Sequence, residues 1–92
     1  MNIKEVVEQR SVYGTLECNA EATQQMEKIL KAQPNYDLMP DIHKEVFHMI
    51  LQKMSRAVCG DFSLLDNIVD IQGYAYRLQE WMEQSGEDEA HD

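Results

Sequence analysis

Positive charge is scarce in this 92-residue chain: eight lysines and arginines stand against 17 aspartates and glutamates, a formal net charge of −9. Binding to DNA or RNA rests on a basic footprint, so direct nucleic-acid binding is not expected. Five of the acids (Glu83, Glu87, Asp88, Glu89 and Asp92) fall in the last ten residues, and setting them aside leaves a body of only −4. Cysteine is nearly absent. Cys18 and Cys59 make neither a disulfide framework nor a zinc spacing, so each is expected to serve as a small apolar core residue. There is no signal or transit peptide and no long apolar run, which points to the cytoplasm of whatever cell contains the chain and away from a membrane.

Catalytic signatures are missing as well. The chain has no Gly-x-Ser-x-Gly elbow, no histidine neighbouring a cysteine in sequence and no glycine-rich phosphate loop. No internal repeat and no alternating strand pattern is present, and the length suits one domain.

What is present is helical periodicity. Asn2 followed by Glu5 reads as a capping box opening a short helix to about Arg10. Tyr13-Gly14 marks a turn in which glycine can take a positive φ. A second helix is expected over 19–32, with Asn19 as N-cap and Ala22, Met26, Ile29 and Leu30 as its apolar stripe. Pro34-Asn35 breaks the pattern. A third helix should begin at Pro40 and end at Gly60, with Val46, Phe47, Ile50, Leu51 and Met54 recurring at spacings of three and four. Ser63 followed by Asp66 reads as the next capping signal, opening a fourth helix to about Gln84 that buries Leu64, Ile68, Ile71, Ala75, Leu78 and Met82, with Trp81 at the margin. The expected fold is all-α: an antiparallel bundle of two short and two long helices over residues 1–84, with 85–92 a disordered acidic tail. The wide apolar faces predict a homo-oligomer.

Candidate chemistry concentrates in residues 53–77. Lys53 and Arg56 share a face of the third helix; Asp66 and Asp70 share one on the fourth, continued by Gly73 and Tyr74. The short connection between the helices brings cations and carboxylates face to face. The plainer reading is an ion-pair network that sets packing register; the functional one is a polar pocket where Lys53 and Arg56 hold an anion. Gly73 costs about 1 kcal/mol relative to alanine within a helix, which suggests close approach by another backbone or a ligand. Glu45 and His48 have a Glu-x-x-His spacing known from di-iron bundles, but one copy does not make such a site.

Arg10-x-x-Tyr13-Gly14, Asn19, Lys53-x-x-Arg56, Gly60-Asp61 and Asp70-Ile71-x-Gly73-Tyr74-Ala75, in that order, resemble an uncharacterised family of short phage and prophage proteins. That family is remotely similar to the MazG-like all-α nucleotide pyrophosphatases, which hold magnesium with carboxylates on adjacent helices. The resemblance implies a phage origin and, through the remote relationship, Glu45, Asp66 and Asp70 as possible magnesium ligands. The MazG pattern is incomplete here, because His48 stands where a second carboxylate would be needed.

These readings converge on a small phage-encoded accessory protein that acts by binding and needs no cofactor. Its target would be a host protein, such as a defence component, or a nucleotide-like anion held by Arg10, Tyr13, Lys53, Arg56, Asp66, Asp70 and Tyr74. A reduced magnesium-dependent nucleotide pyrophosphatase is the alternative. An acidic mimic that inhibits a nucleic-acid-binding machine ranks third.

Overall fold

The structure is a computed structural model that describes residues 2–9 and 11–85. Four helices are present, and no strand occurs among the described residues: α1 (Ile3–Gln9), α2 (Leu16–Lys31), α3 (Asp41–Cys59) and α4 (Leu65–Ser85). Single 3₁₀ turns at Ser11–Tyr13 and Tyr36–Leu38 connect the first three. The two long helices α3 and α4 pack against each other, and α2 packs on the other flank of α3. The expected all-α architecture is therefore present, arranged as a helical layer with α3 at its centre.

Local signals account for most boundaries. Asn2 Oδ1 accepts a hydrogen bond from the Glu5 N–H at 2.9 Å, satisfying one free donor at the start of α1. Gly14 takes φ +87, the left-handed region that only glycine enters cheaply. Pro40 stands at the N-cap of α3, where its missing N–H costs nothing.

Two boundaries differ from expectation. The cap of α2 is Thr15, whose Oγ1 accepts from Cys18 N at 3.1 Å. Asn19 lies inside the helix, one turn later, and its side chain is occupied elsewhere. Ser63 does not cap α4 through Asp66, because its N–H and hydroxyl both donate to Asp61 Oδ1, at 2.9 and 2.5 Å. Gly60 ends α3 as expected, with φ −122 and its N–H donating to the Arg56 carbonyl. Glycine is needed there for space: an added Cβ would lie 2.1 Å from the Val12 carbonyl oxygen.

The apolar core is small. Val46, Leu51 and Leu78 are the buried hydrophobic side chains among the described residues, and Thr23, Glu27, Ser55 and Asn67 are buried beside them. The face that α4 turns to α3 also differs from expectation. Asn67 and Leu78 are buried and Leu64, Ile71, Tyr74, Trp81 and Met82 half-buried, whereas Ile68 and Ala75 are exposed. The helix is rotated so that Asn67 and Tyr74 enter the interface. Of the expected stripe, Leu64, Ile71, Leu78 and Met82 do face the interior, and only Ile68 and Ala75 do not.

The two cysteines are not separate core residues. Cys18, at the start of α2, and Cys59, at the end of α3, form a disulfide with Cα atoms 5.8 Å apart. Cys18 is exposed and Cys59 half-buried. Forty-one positions separate them, a distance at which sequence gives no pairing signal.

Two stability predictions follow from these contacts. Reducing the disulfide should lower the free energy of unfolding by roughly 4 kcal/mol, the loop-closure entropy of a cross-link of this span; urea denaturation with and without reductant measures it. Gly73 meets no atom within 4 Å of an added Cβ, which overturns the expected close approach within the chain. Gly73→Ala should therefore stabilise the protein by about 1 kcal/mol, read as a higher denaturation midpoint at unchanged slope.

Candidate functional site on the polar side of the layer

The helical layer has two sides. Along α3, Glu45, Met49, Gln52 and Arg56 follow one stripe, and Phe47, Ile50, Met54 and Val58 follow the opposite one. Grooves between the helices confirm the division. Glu45 and Met49 share one with Tyr74 and Arg77 of α4, whereas Phe47 and Ile50 share another with Ala75 and Met82. The groove between α2 and α3 on the first side is lined by Asn19, Thr23, Gln24, His48, Gln52 and Arg56, among others. The candidate residues that the structure describes lie on or within this polar side.

A junction at one end of the layer builds the site. The Asp61 N–H donates to the Val12 carbonyl at 2.7 Å, tying the α3–α4 loop to the 3₁₀ turn before α2. That contact delivers Tyr13 to the space between α3 and α4. Its hydroxyl donates to Asp66 Oδ2 at 2.6 Å, and the Arg56 guanidinium carbon lies 5.3 Å from its ring centroid, a cation–π arrangement. Asn19 holds the turn from below. Its Nδ2 donates to the Tyr13 and Thr15 carbonyls at 2.8 and 2.9 Å, and its Oδ1 accepts from the buried Ser55 hydroxyl at 2.6 Å.

Along the same side, Lys53 Nζ lies 2.9 Å from Asp70 Oδ2. The facing pairs expected from sequence are thus half realised: Lys53 meets Asp70, whereas Asp66 takes the tyrosine hydroxyl and Arg56 the tyrosine ring. Among the described residues Arg56 has no carboxylate within ion-pair distance. Its guanidinium opens onto the α2–α3 groove, a cavity of about 290 Å³.

Further along that groove, His48 Nδ1 lies 2.8 Å from Glu27 Oε1, and Gln52 Nε2 lies 3.1 Å from His48 Nε2. A carboxylate only accepts, so Nδ1 donates to Glu27 and Nε2 accepts from the Gln52 amide. Glu27 is buried and also lies 3.9 Å from Lys31 Nζ. Sequence spacing paired His48 with Glu45; the fold pairs it with Glu27, on another helix and invisible to local periodicity.

Of the remaining candidates, Tyr74 is half-buried and lines a cavity of about 340 Å³ with Ile42, Glu45, Val46, Met49 and Arg77. Glu45 therefore stands beside Arg77, apart from Asp66 and Asp70, and no group of three metal-ligating side chains occurs among the described residues. Arg10 lies outside the described residues. Asn67 escaped notice in the sequence. It is 1% exposed, and neither of its amide atoms meets a protein hydrogen-bond partner among the described residues. No helix is long and apolar enough to cross a membrane among the described residues.

None of the family models, curated proteins or solved structures compared with this chain matches it.

The loop that carries the junction has its own titration. Two hydrogen bonds from Ser63, the hydroxyl's the stronger influence and the backbone N–H's the second, hold the Asp61 carboxyl below its ordinary value of 3.8. They favour the ionised form, so the stability they contribute is present above that ordinary value and lost as pH falls through the lowered one. Ser63→Ala should move the Asp61 titration back toward 3.8, measured by carboxyl-detected NMR.

Proposed function

We propose that this chain is a small phage-encoded accessory protein that acts by binding, and that its ligand is a nucleotide-like anion seated at Arg56. The observation that carries this reading is the state of Arg56 itself. It is a half-buried guanidinium, oriented by the Tyr13 ring and without a carboxylate partner among the described residues, at the mouth of a groove lined by amides. A planar guanidinium offers paired N–H donors matched to phosphate or carboxylate oxygens.

The neighbouring charges support a binding role. Asp70 is engaged by Lys53, Asp66 by Tyr13 and Glu27 by His48. Each carboxylate near the groove already accepts a hydrogen bond, which favours a fixed, preorganised surface. Lys53 is less available than Arg56 because a partner at 2.9 Å neutralises it. Gln52 and Gln24 would meet the polar atoms of the group attached to the anion.

Isothermal titration with inorganic phosphate and with a nucleoside monophosphate tests the proposal. Arg56→Ala should weaken binding roughly ten- to hundredfold, the range of a charge-assisted hydrogen-bonded pair. Asp70→Asn should leave affinity unchanged or raise it, by freeing Lys53. Absence of binding to either ligand, or affinity indifferent to Arg56→Ala, would overturn the anion reading; recovery of one stoichiometric host protein on the polar side would then favour a protein target. Release of pyrophosphate from nucleoside triphosphates, lost in Asp66→Asn, would contradict the non-catalytic role.

A further inference from the structure

The side of the layer opposite Arg56 is apolar and uncovered. Ile29 of α2 is 63% exposed, Val58 of α3 77% and Leu65 of α4 77%, with Met54 and Ile68 at 44% and 48%. The stripe continues along α3 through Phe47, which lines a groove with Ala75 and Met82 of α4. Isolated exposed hydrophobics are ordinary on any protein. A face running across three adjacent helices is not.

This side is also poor in charge, although aspartate, glutamate, lysine and arginine make up 27% of the chain; Glu83 stands at the far end of its groove. On α3 the stripe through Phe47, Ile50, Met54 and Val58 carries no charged side chain. On α4 the matching stripe carries none from Leu65 to Gln79, its polar positions there being Gln72 and Gln79, and meets its charge at Glu83, which accepts a hydrogen bond from Gln79. On α2, Ala22, Gln25 and Ile29 continue the same pattern. Depletion of charge with retention of neutral polar groups is the composition of an interface core.

We infer that this face is the interface of a homodimer, two copies packing back to back with their Arg56 grooves turned outward. Three features select a second copy as the occupant. The side chains along it, each presenting on the order of 100 Å², together approach the roughly 800 Å² per partner of a standard interface. A face whose charge is confined to Glu83 at one end offers little complementarity to a basic partner, which a chain of net charge −9 would otherwise attract; its apolar centre is complementary to itself under a twofold axis. The three buried hydrophobic side chains among the described residues form a slender core for a single chain, and burial of this face would enlarge it. Both cysteines are bonded within the chain, so the association is non-covalent.

Sedimentation velocity of the full chain tests the inference, independently of any ligand at Arg56. At about 100 µM, where even a micromolar association is saturated, the expected mass is twice the 10.7 kDa of one chain. A mass of 10.7 kDa at that concentration would overturn it. Val58→Asp, at a position exposed in the single chain, should weaken self-association at least about thirtyfold, the size of an interface hot spot. Gln24→Glu, on the polar side, should leave the dimer intact, and the opposite ranking of the two variants would also refute the proposal. If Val58→Asp fails to fold, a photo-reactive residue at Leu65 in the otherwise unaltered chain decides the matter. It should link two copies through this face, and cross-links confined to the polar side would exclude it.

Discussion

A backbone hydrogen bond at one end of the layer governs the arrangement of the polar side. The Asp61 N–H reaches the Val12 carbonyl at 2.7 Å, and it can do so because Gly60 has no side chain to strike that carbonyl. Gly14, at positive φ, also packs close to Cys59, where an added Cβ would come within 2.7 Å, and the Cys18–Cys59 disulfide crosses the same junction. The N-terminal segment is thereby pinned to the α3–α4 turn. Tyr13 can then stand between Arg56 and Asp66, and Asn19 can support the turn from the α2–α3 interface. An added Cβ at residue 60 would move the turn and with it the tyrosine.

The layer separates its chemistry. Hydrogen-bonded and ionic pairs gather on one side, where His48, Glu27, Gln52, Ser55 and Asn19 link α2 to α3, while Lys53 and Asp70 link α3 to α4. A pair such as Lys53–Asp70, with its carboxylate nearly half exposed, adds at most about 1 kcal/mol. Such contacts fix helix register more than they supply stability. Apolar side chains such as Ile29, Val58 and Leu65 lie on the other side, exposed to solvent in the single chain. A binding surface preorganised by small polar interactions and an apolar back covered by a second copy are compatible within one layer.

Helical periodicity made the fold class legible. Spacings of three and four, the Pro40 start and the Pro34-Asn35 break were sufficient to place four helices, because each is a local property of the backbone. Candidate residues were legible in part. The Lys53–Asp70 contact follows from two antiparallel helices joined by a short loop, whereas Arg56 and Asp66 were drawn apart by Tyr13, which lies 53 positions from Asp66. Nothing local foretold that tyrosine, the Glu27 partner of His48 or the burial of Asn67. Apolar counting on α4 chose Ile68 and Ala75 for the core, and the fold left both exposed.

The sequence by itself determined the helices, their order, the acidic balance and the clustering of candidate charges, since composition and periodicity depend on neighbours along the chain. Tertiary structure decided the disulfide, the burial of Asn67 on α4, and the pairing of Asp66 with Tyr13 instead of Arg56. Those outcomes depend on contacts among segments tens of residues apart, where the geometry of the α2–α3–α4 layer, not spacing in sequence, chooses the partner.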